Sequence, residues 1–297
     1  LTLAVFFLSP EAKVYARYGG RDAQGPDGRQ TPAGLRYTMQ SVLQMHASAA
    51  PEYAPREPGA PRYIQQIPGG QRYGLCLHCH QVKEIVHEEL KRTGAWRRDL
   101  AWRYPLPEQL GLALEVARGN VVERVVPGSP AAQAGLQRGD TLRQLHDVPL
   151  HSQADVQFAL DRAPSAGKVA LTWERAGGAR RGELTLAPGW RKQDITWRPS
   201  LQALIPYLPL DGIDLSAAEK AALGVPVKVA AFRQRARVHS RAQEAGIRAG
   251  DVILGIDGRS GLDELRELVR REYLVGDRVV VELLREGTRL RLPLTLP

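Results

Sequence analysis

Apolar and polar positions follow two rhythms in the first fifty residues. Leu3 to Leu8 and Lys13 to Tyr18 are β-rich runs, and Ser9-Pro10-Glu11-Ala12 between them predicts a hairpin that Gly19-Gly20 ends. Thr31-Pro32 then offers an N-cap followed by proline at the first helical position. Leu35, Met39, Val42, Leu43 and His46 recur at helical spacing, which predicts one apolar stripe on a helix running to about Ser48. A hairpin and one helix cannot bury both their faces alone. This part is therefore expected to be the C-terminal half of an α/β unit whose first half lies outside the sequence.

From Ala50 to Gly70 the rhythm gives way to Pro, Gly, Glu and Arg, the composition of a linker. A second helix is predicted after it, with Val82, Ile85, Val86 and Leu90 as its apolar stripe, Lys91 and Arg92 in its last turn and Gly94 as its stop. An aromatic, arginine-rich stretch from Trp96 to Leu106 leads into an internal repeat. Ala134-Gly135-Leu136-Gln137-Arg138-Gly139-Asp140-Thr141-Leu142 returns as Ala245-Gly246-Ile247-Arg248-Ala249-Gly250-Asp251-Val252-Ile253. Such a return predicts duplicated domains. A Leu-Gly pair precedes each copy, Leu110-Gly111 and Leu223-Gly224. A helix and two β-rich runs follow each: Ser152 to Arg162, Val169 to Trp173 and Glu183 to Leu186, then Leu262 to Tyr273, Val279 to Leu284 and Leu290 to Leu296.

Composition adds little to this frame. The 297 residues allow two or three domains, and 43% hydrophobic with 25% charged residues is the balance of ordinary globular protein. The net charge of +9 rests mainly on arginine, and the chain is rich in Ala, Gly and Pro, as coding in a GC-rich genome produces. No basic block with interleaved aromatics points to nucleic acid. The chain opens at Leu1 rather than Met, so a preceding portion is expected. Leu1 to Leu8 is too short to span a bilayer and has no basic flank, so neither a membrane span nor an intact signal peptide is read here.

Candidate chemistry is concentrated in Cys76-Leu77-His78-Cys79-His80, which holds both cysteines of the chain. Two cysteines three apart with a histidine after the second is the spacing of c-type haem attachment, with His80 as the iron ligand. The same residues also fit a redox dithiol, whose thiolate a helix N-terminus and His78 would favour. A zinc site on Cys76, Cys79 and His80 with a fourth ligand from elsewhere, and a plain structural disulfide, remain open beside these. A c-type haem or an oxidised pair would each place the protein in the periplasm or otherwise outside the cytoplasm.

Leu110-Gly111-Leu112-Ala113-Leu114, Val122 to Val126, Pro127-Gly128-Ser129-Pro130-Ala131-Ala132 and Gly139-Asp140 together resemble a bacterial PDZ domain of the type attached to secreted HtrA-like serine proteases. The second copy resembles it less closely, with His239-Ser240-Arg241-Ala242 in place of the Gly-Ser-Pro-Ala turn. The resemblance implies capture of C-terminal or extended peptides by strand addition. In the first copy a peptide would pair with the strand starting near Leu112, its carboxylate held by main-chain N–H groups around Leu110 and Gly111. Its last side chain would lie between Leu112, Ala113 and Leu114 and the helix carrying Val156, Ala159 and Leu160. The corresponding positions in the second copy are taken as Leu223, Gly224 and Val225. The stretch from Gly189 to Pro199 is expected to pack across a PDZ face, or to act as a lid over the groove.

Taken with the hairpin and the Cys-x-x-Cys-His element, the chain is similar to a bacterial thioredoxin-like/PDZ family, some of whose members are selenoproteins. The implied class is α+β or mainly β: two small barrel-like PDZ sandwiches with capping helices, preceded by half of a thioredoxin-like unit and a short helical element. The expected divisions are a partial thioredoxin-like unit (1–50), a linker (51–75), the Cys-x-x-Cys-His element (76–104), the first PDZ copy (105–190), an aromatic segment (191–215) and the second copy (216–297). No Gly-x-Ser-Gly-Gly or Gly-x-Ser-x-Gly nucleophile turn occurs, so serine protease chemistry is excluded for this chain. Two functions remain. One is an extracytoplasmic PDZ protein whose Cys76, Cys79 and His80 carry haem c or a dithiol and serve a redox partner protein. The other is a peptide-binding adaptor whose cysteines only bridge.

Overall fold

The computed structural model describes residues 3–11, 13–48, 63–72 and 77–297, with the side chain of residue 79 left outside that description. Cys76 and the Cys79 thiol, on which the haem, dithiol, zinc and disulfide expectations rest, therefore lie outside the described residues. The chain divides into two units, Leu1–Gln193 and Asp194–Pro297.

In the first unit, β1 (Ala4–Leu8) and β2 (Val14–Gly19) form the expected antiparallel hairpin, with Ala4 opposite Gly19 and Phe7 opposite Ala16. Ser9 closes its turn by accepting the N–H groups of Glu11 and Lys13 through Oγ, both at 3.2 Å. Helix α1 (Pro32–Ala47) starts where the sequence places it, Thr31 Oγ1 accepting the Gly34 N–H at 3.0 Å. Its buried face differs from the expected one. Gly34 and Thr38 are buried, while Met39 and Leu43 of the apolar stripe are 46% and 65% exposed. The reason is tertiary: α1 docks on the first PDZ copy through its small and polar side, Tyr37 OH donating to Asn120 Oδ1 (3.0 Å) and Ser41 Oγ meeting His151 Nδ1 (2.7 Å). Leu3, Phe6 and Leu8 are exposed as well. Helix α2 (Cys79–Arg92) follows, with Ile85 buried and Gly94 in the left-handed region (φ +71°) just past its end.

The rest of this unit is built from antiparallel strands. β3 (Leu112–Leu114) pairs with β4 (Val122–Val125), Leu112 facing Val125. After the short helix α3 (Pro130–Gln133), strands β5 (Thr141–Leu145), β6 (Val148–Pro149), β7 (Gly167–Arg175) and β8 (Gly178–Leu186) make a sheet in the order β6-β5-β7-β8. Helix α4 (Gln153–Arg162) lies between β6 and β7 in sequence and sends Val156, Ala159 and Leu160 into a core shared with Leu110, Leu112, Leu114 and Trp173. Trp190 packs onto the same core and donates through Nε1 to the Pro164 carbonyl (3.0 Å), so the segment after β8 covers a PDZ face up to this point.

The second unit repeats the plan. β9 (Gly212–Asp214), β10 (Phe232–Gln234), β11 (Val252–Ile256), β12 (Arg278–Arg285) and β13 (Thr288–Thr295) form one sheet in the order β13-β12-β11-β10-β9. Helices α6 (Ser240–Glu244) and α7 (Leu262–Glu272) stand where α3 and α4 stand in the first. Helix α5 (Ala217–Ala222) has no counterpart and is inserted between the first two strands.

The repeated motif has a physical cause that both copies share. Its glycines turn in the left-handed region, Gly135 and Gly139 at φ +88° and Gly246 and Gly250 at +86° and +84°. This tight path buries the aspartate that follows. Asp140 accepts the Gln137 N–H (2.8 Å) and a two-pronged contact from Arg175 (2.7 and 2.8 Å), and Arg175 also holds the Gly135 carbonyl (2.7 Å). Asp251 does the same with Arg248 N–H (2.8 Å) and Arg285 (2.8 and 2.7 Å), which holds the Gly246 carbonyl (2.7 Å).

Candidate peptide-binding grooves

β3 is the natural edge for an added strand in the first unit. The Gly111 carbonyl accepts from Val126 N–H (2.8 Å) and Glu115 N–H donates to Val121 O (2.9 Å), so Gly111, Ala113 and Glu115 turn their main-chain groups toward β4. Alternation then directs the N–H and C=O groups of Leu112 and Leu114 to the other edge. No strand among the described residues pairs there. Gly111 sits at φ +71°, and a Cβ on it would come within 2.3 Å of the Ser129 Cβ, so only glycine fits this turn. Its own amide is turned back on the Glu108 carbonyl at 3.0 Å, which leaves the Leu112 amide as the donor that faces the edge.

The residues expected to line this groove are brought together. Leu110, Leu112 and Leu114 on one side and Val156, Ala159 and Leu160 on the other share one core, each 1 to 3% exposed, while Ala113 faces away and is partly exposed. Two ionisable groups stand at the start of α4, one fully buried and one half-buried. Asp155 is fully buried, and burial pushes its carboxyl up to about 7 against the opposing pull of Arg17. Burial, with the nearby charge of Arg143 adding to it, pushes His151 down to about 4.

The second unit puts the positions that match Leu110 to Leu112 elsewhere than expected. Leu223 is the C-cap of α5, Gly224 turns out of that helix at φ +66°, and Val225 is buried in a small cluster with Leu215 and Ala231. None of the three stands on a strand edge. Pairing shows the true counterpart: Gln234 and Val122 both donate their N–H to the carbonyl of the motif aspartate (2.8 Å each), and Gln234 faces Gly212 as Val122 faces Leu114. Counting back, Leu208, Pro209 and Leu210 take the places of Leu110, Gly111 and Leu112. Leu208 and Leu210 join the core with Leu265, Leu268 and Val269 of α7. Pro209 brings no N–H where the first unit has Gly111. In addition, Gln234 Oε1 accepts the Asp211 N–H at 3.3 Å, and Arg266 on α7 pairs with Asp211 at 3.6 Å. The inserted α5 hides this register in the sequence, because it lengthens the spacing to the repeat and supplies a Leu-Gly pair of its own.

Of the Cys-x-x-Cys-His stretch, the described part is the start of α2. His78 is the N-cap residue, its N–H donating to Gln81 Oε1 (2.8 Å), and its ring stacks on that of His80 at 5.7 Å. His80 Nδ1 lies 3.0 Å from Glu84 Oε1, one helical turn on, with both side chains partly exposed.

Comparison with known proteins bears on the β units. Residues 121–175 match the sequence model described as PDZ domain. The chain is 26% identical over 214 residues to the magnetosome formation protease MamE of Magnetospirillum gryphiswaldense, covering 62% of this chain and 28% of that protein. It is 30% identical over 158 residues to the periplasmic pH-dependent serine endoprotease DegQ of Escherichia coli K12, covering 52% and 32%. To the periplasmic serine endoprotease DegP of Salmonella typhimurium it is 26% identical over 203 residues, covering 66% and 39%. The chain thus spans between about a quarter and two fifths of these relatives' lengths. Among solved structures, the HtrA-type protease AlgWS227A with decapeptide matches 59% of this chain and 53% of its own at 17% identity and a TM-score of 0.30. The PDZ match and the HtrA-like relatives, with the shared motif geometry, support a tandem pair of PDZ domains of the HtrA type.

Proposed function

We propose that this chain captures peptide segments of other proteins outside the cytoplasm, and that its first PDZ domain does so by adding the segment to the free edge of β3. The observation that carries this is the unpaired edge of β3, with Leu112 and Leu114 directing main-chain groups outward beside the glycine turn at Gly111. Main-chain pairing supplies affinity and the pocket between β3 and α4 reads the last side chain. The relatives named periplasmic support an extracytoplasmic setting. Among the described residues no helix is long and apolar enough to cross a membrane. The test is fluorescence anisotropy with labelled decapeptides ending in Val, Leu or Phe, each as free acid and as C-terminal amide. Tighter binding of the free acids supports the reading, and no binding of either form sinks it.

A second reading keeps the redox role. His80 Nδ1 against Glu84 Oε1 is the arrangement in which a carboxylate fixes one ring nitrogen and leaves Nε2 free for a metal. It supports haem c on Cys76, Cys79 and His80, with the peptide-binding domains selecting the redox partner. A dithiol or zinc at the same cysteines stands behind it. Expression with cytochrome c maturation and a reduced-minus-oxidised spectrum after denaturing wash decides: covalently held colour supports haem, and colourless protein removes it. The thioredoxin-like reading of residues 1–50 is supported by the hairpin-and-helix order and by the exposed apolar side chains of Phe6, Leu8, Met39 and Leu43, which a further half-domain would cover.

A further inference from the structure

Residues 17–34 touch three sides of the first groove. On the α4 side, Arg17 N–H donates to Asp155 Oδ1 at 3.0 Å and the Arg17 guanidinium pairs with the same carboxylate at 3.3 Å. The guanidinium also lies 3.6 Å over the Phe158 ring, and Ser152 Oγ donates to the Arg17 carbonyl. Three residues on, Gly20 meets Gln157 of α4, where a Cβ would stand 3.5 Å from the amide oxygen. On the side of the glycine turn, Arg29 reaches Glu108 at 2.7 Å, with Asp22 holding the same guanidinium from within the segment at 2.6 Å. At the far end of β3, Gly34 approaches the Val116 carbonyl so closely that a Cβ would come within 2.6 Å of it.

We propose that residues 17–30 form a lid over the first PDZ groove, which a partner's peptide displaces when it binds. The proposal rests on the peptide-capture reading and adds its regulation. The contacts of this segment run from α4 to Glu108 before the glycine turn, which is where a cover over the groove has to be anchored. The two ends of the lid are unequal. Arg17 is tied through its main chain and side chain to the Asp155 carboxyl group, which has no exposure, whereas the Glu108 side chain is 35% exposed. A partly exposed pair is weak, so the Arg29 end opens while the Arg17 end stays as the hinge. A groove that is free only part of the time binds with an apparent affinity reduced by its open fraction.

The experiment uses the full chain and the labelled free-acid decapeptides, with hydrogen exchange as a second readout. Arg29→Ala is expected to tighten binding about three- to tenfold by raising the open fraction. Saturating peptide on the unaltered chain is expected to strip protection from the amides of residues 20–30, beyond the Arg17 hinge. Peptide that binds while this protection holds, or binds Arg29→Ala no better than the unaltered chain, overturns the lid and leaves peptide capture standing. Absence of binding to both proteins overturns peptide capture, and the lid falls with it. Should Arg29→Ala fold poorly, the exchange measurement on the unaltered chain still decides.

Discussion

Asp155 and His151 give the first unit a pH response that each residue alone would tilt in opposite directions. Asp155 keeps its proton up to about 7 in the folded chain but only to about 3.8 when unfolded, so the folded state holds the extra proton between these values. Its contribution is fully present below about 3.8 and is lost as pH rises toward 7. His151 titrates near 4 when folded and near 6.5 when unfolded, so its contribution is present above 6.5 and is lost as pH falls toward 4. The two slopes largely offset each other. The groups facing this pair are Arg17 from β2, Arg143 from β5 and Ser41 from α1. Asp155→Asn should leave a stability that rises from pH 4 to 6.5, and His151→Gln one that falls from pH 4 to 7. Urea midpoints of the first unit across this range check the signs. Equal slopes in the two variants would show that neither group titrates as its burial demands.

The two grooves differ by one position in the turn before the edge strand. Gly111→Ala forces a side chain into the left-handed region, at a cost of about 1–2 kcal/mol, and drives its Cβ onto Ser129. Capture of free-acid peptides by the first groove should be abolished. Because this turn aims the Leu112 amide at the edge, Gly111→Ala should leave almost no preference for free acid over amide. A Gly111→Ala chain that still favours free acids would mean that the carboxylate is held elsewhere than at this turn. What could be read in the sequence follows the same division. The duplicated motif was legible because its chemistry is local: two glycine turns and an aspartate bonded three residues back. The turn and edge strand of the first copy were legible for the same reason, since Leu110 to Leu114 form one short run. Their counterparts in the second copy were not, because α5 displaces the register and Leu223-Gly224 imitates the turn. The buried face of α1 was not either. Its partners Asn120 and His151 lie far along the chain, and Tyr37 and Ser41 carry no periodic signal that points to them.

At the scale of the whole chain, the repeated Asp-Arg clamp offers a matched probe of each unit. Asp140 has no exposed side chain and Asp251 2%, while Arg175 and Arg285 keep 32% and 20% of theirs in water. Removing the arginine leaves a buried carboxylate with its main-chain N–H partner alone. Breaking a fully buried pair this way is strongly destabilising, and the partly solvated guanidinium lowers the expected loss. Among the described residues, one unit gathers a core of Leu110, Val156, Trp173 and Trp190, and the other a core of Leu210, Phe232, Ile253 and Leu283. Each should therefore unfold as its own cooperative step. In calorimetry, Arg285→Ala should lower one transition by on the order of 10 °C and leave the other in place. Arg175→Ala should lower the other transition by roughly half as much, because the first unit is larger and the same free energy moves its midpoint less. A single transition that both variants lower equally would mean that the two PDZ domains fold as one body, and the duplication would then describe their ancestry but not their stability.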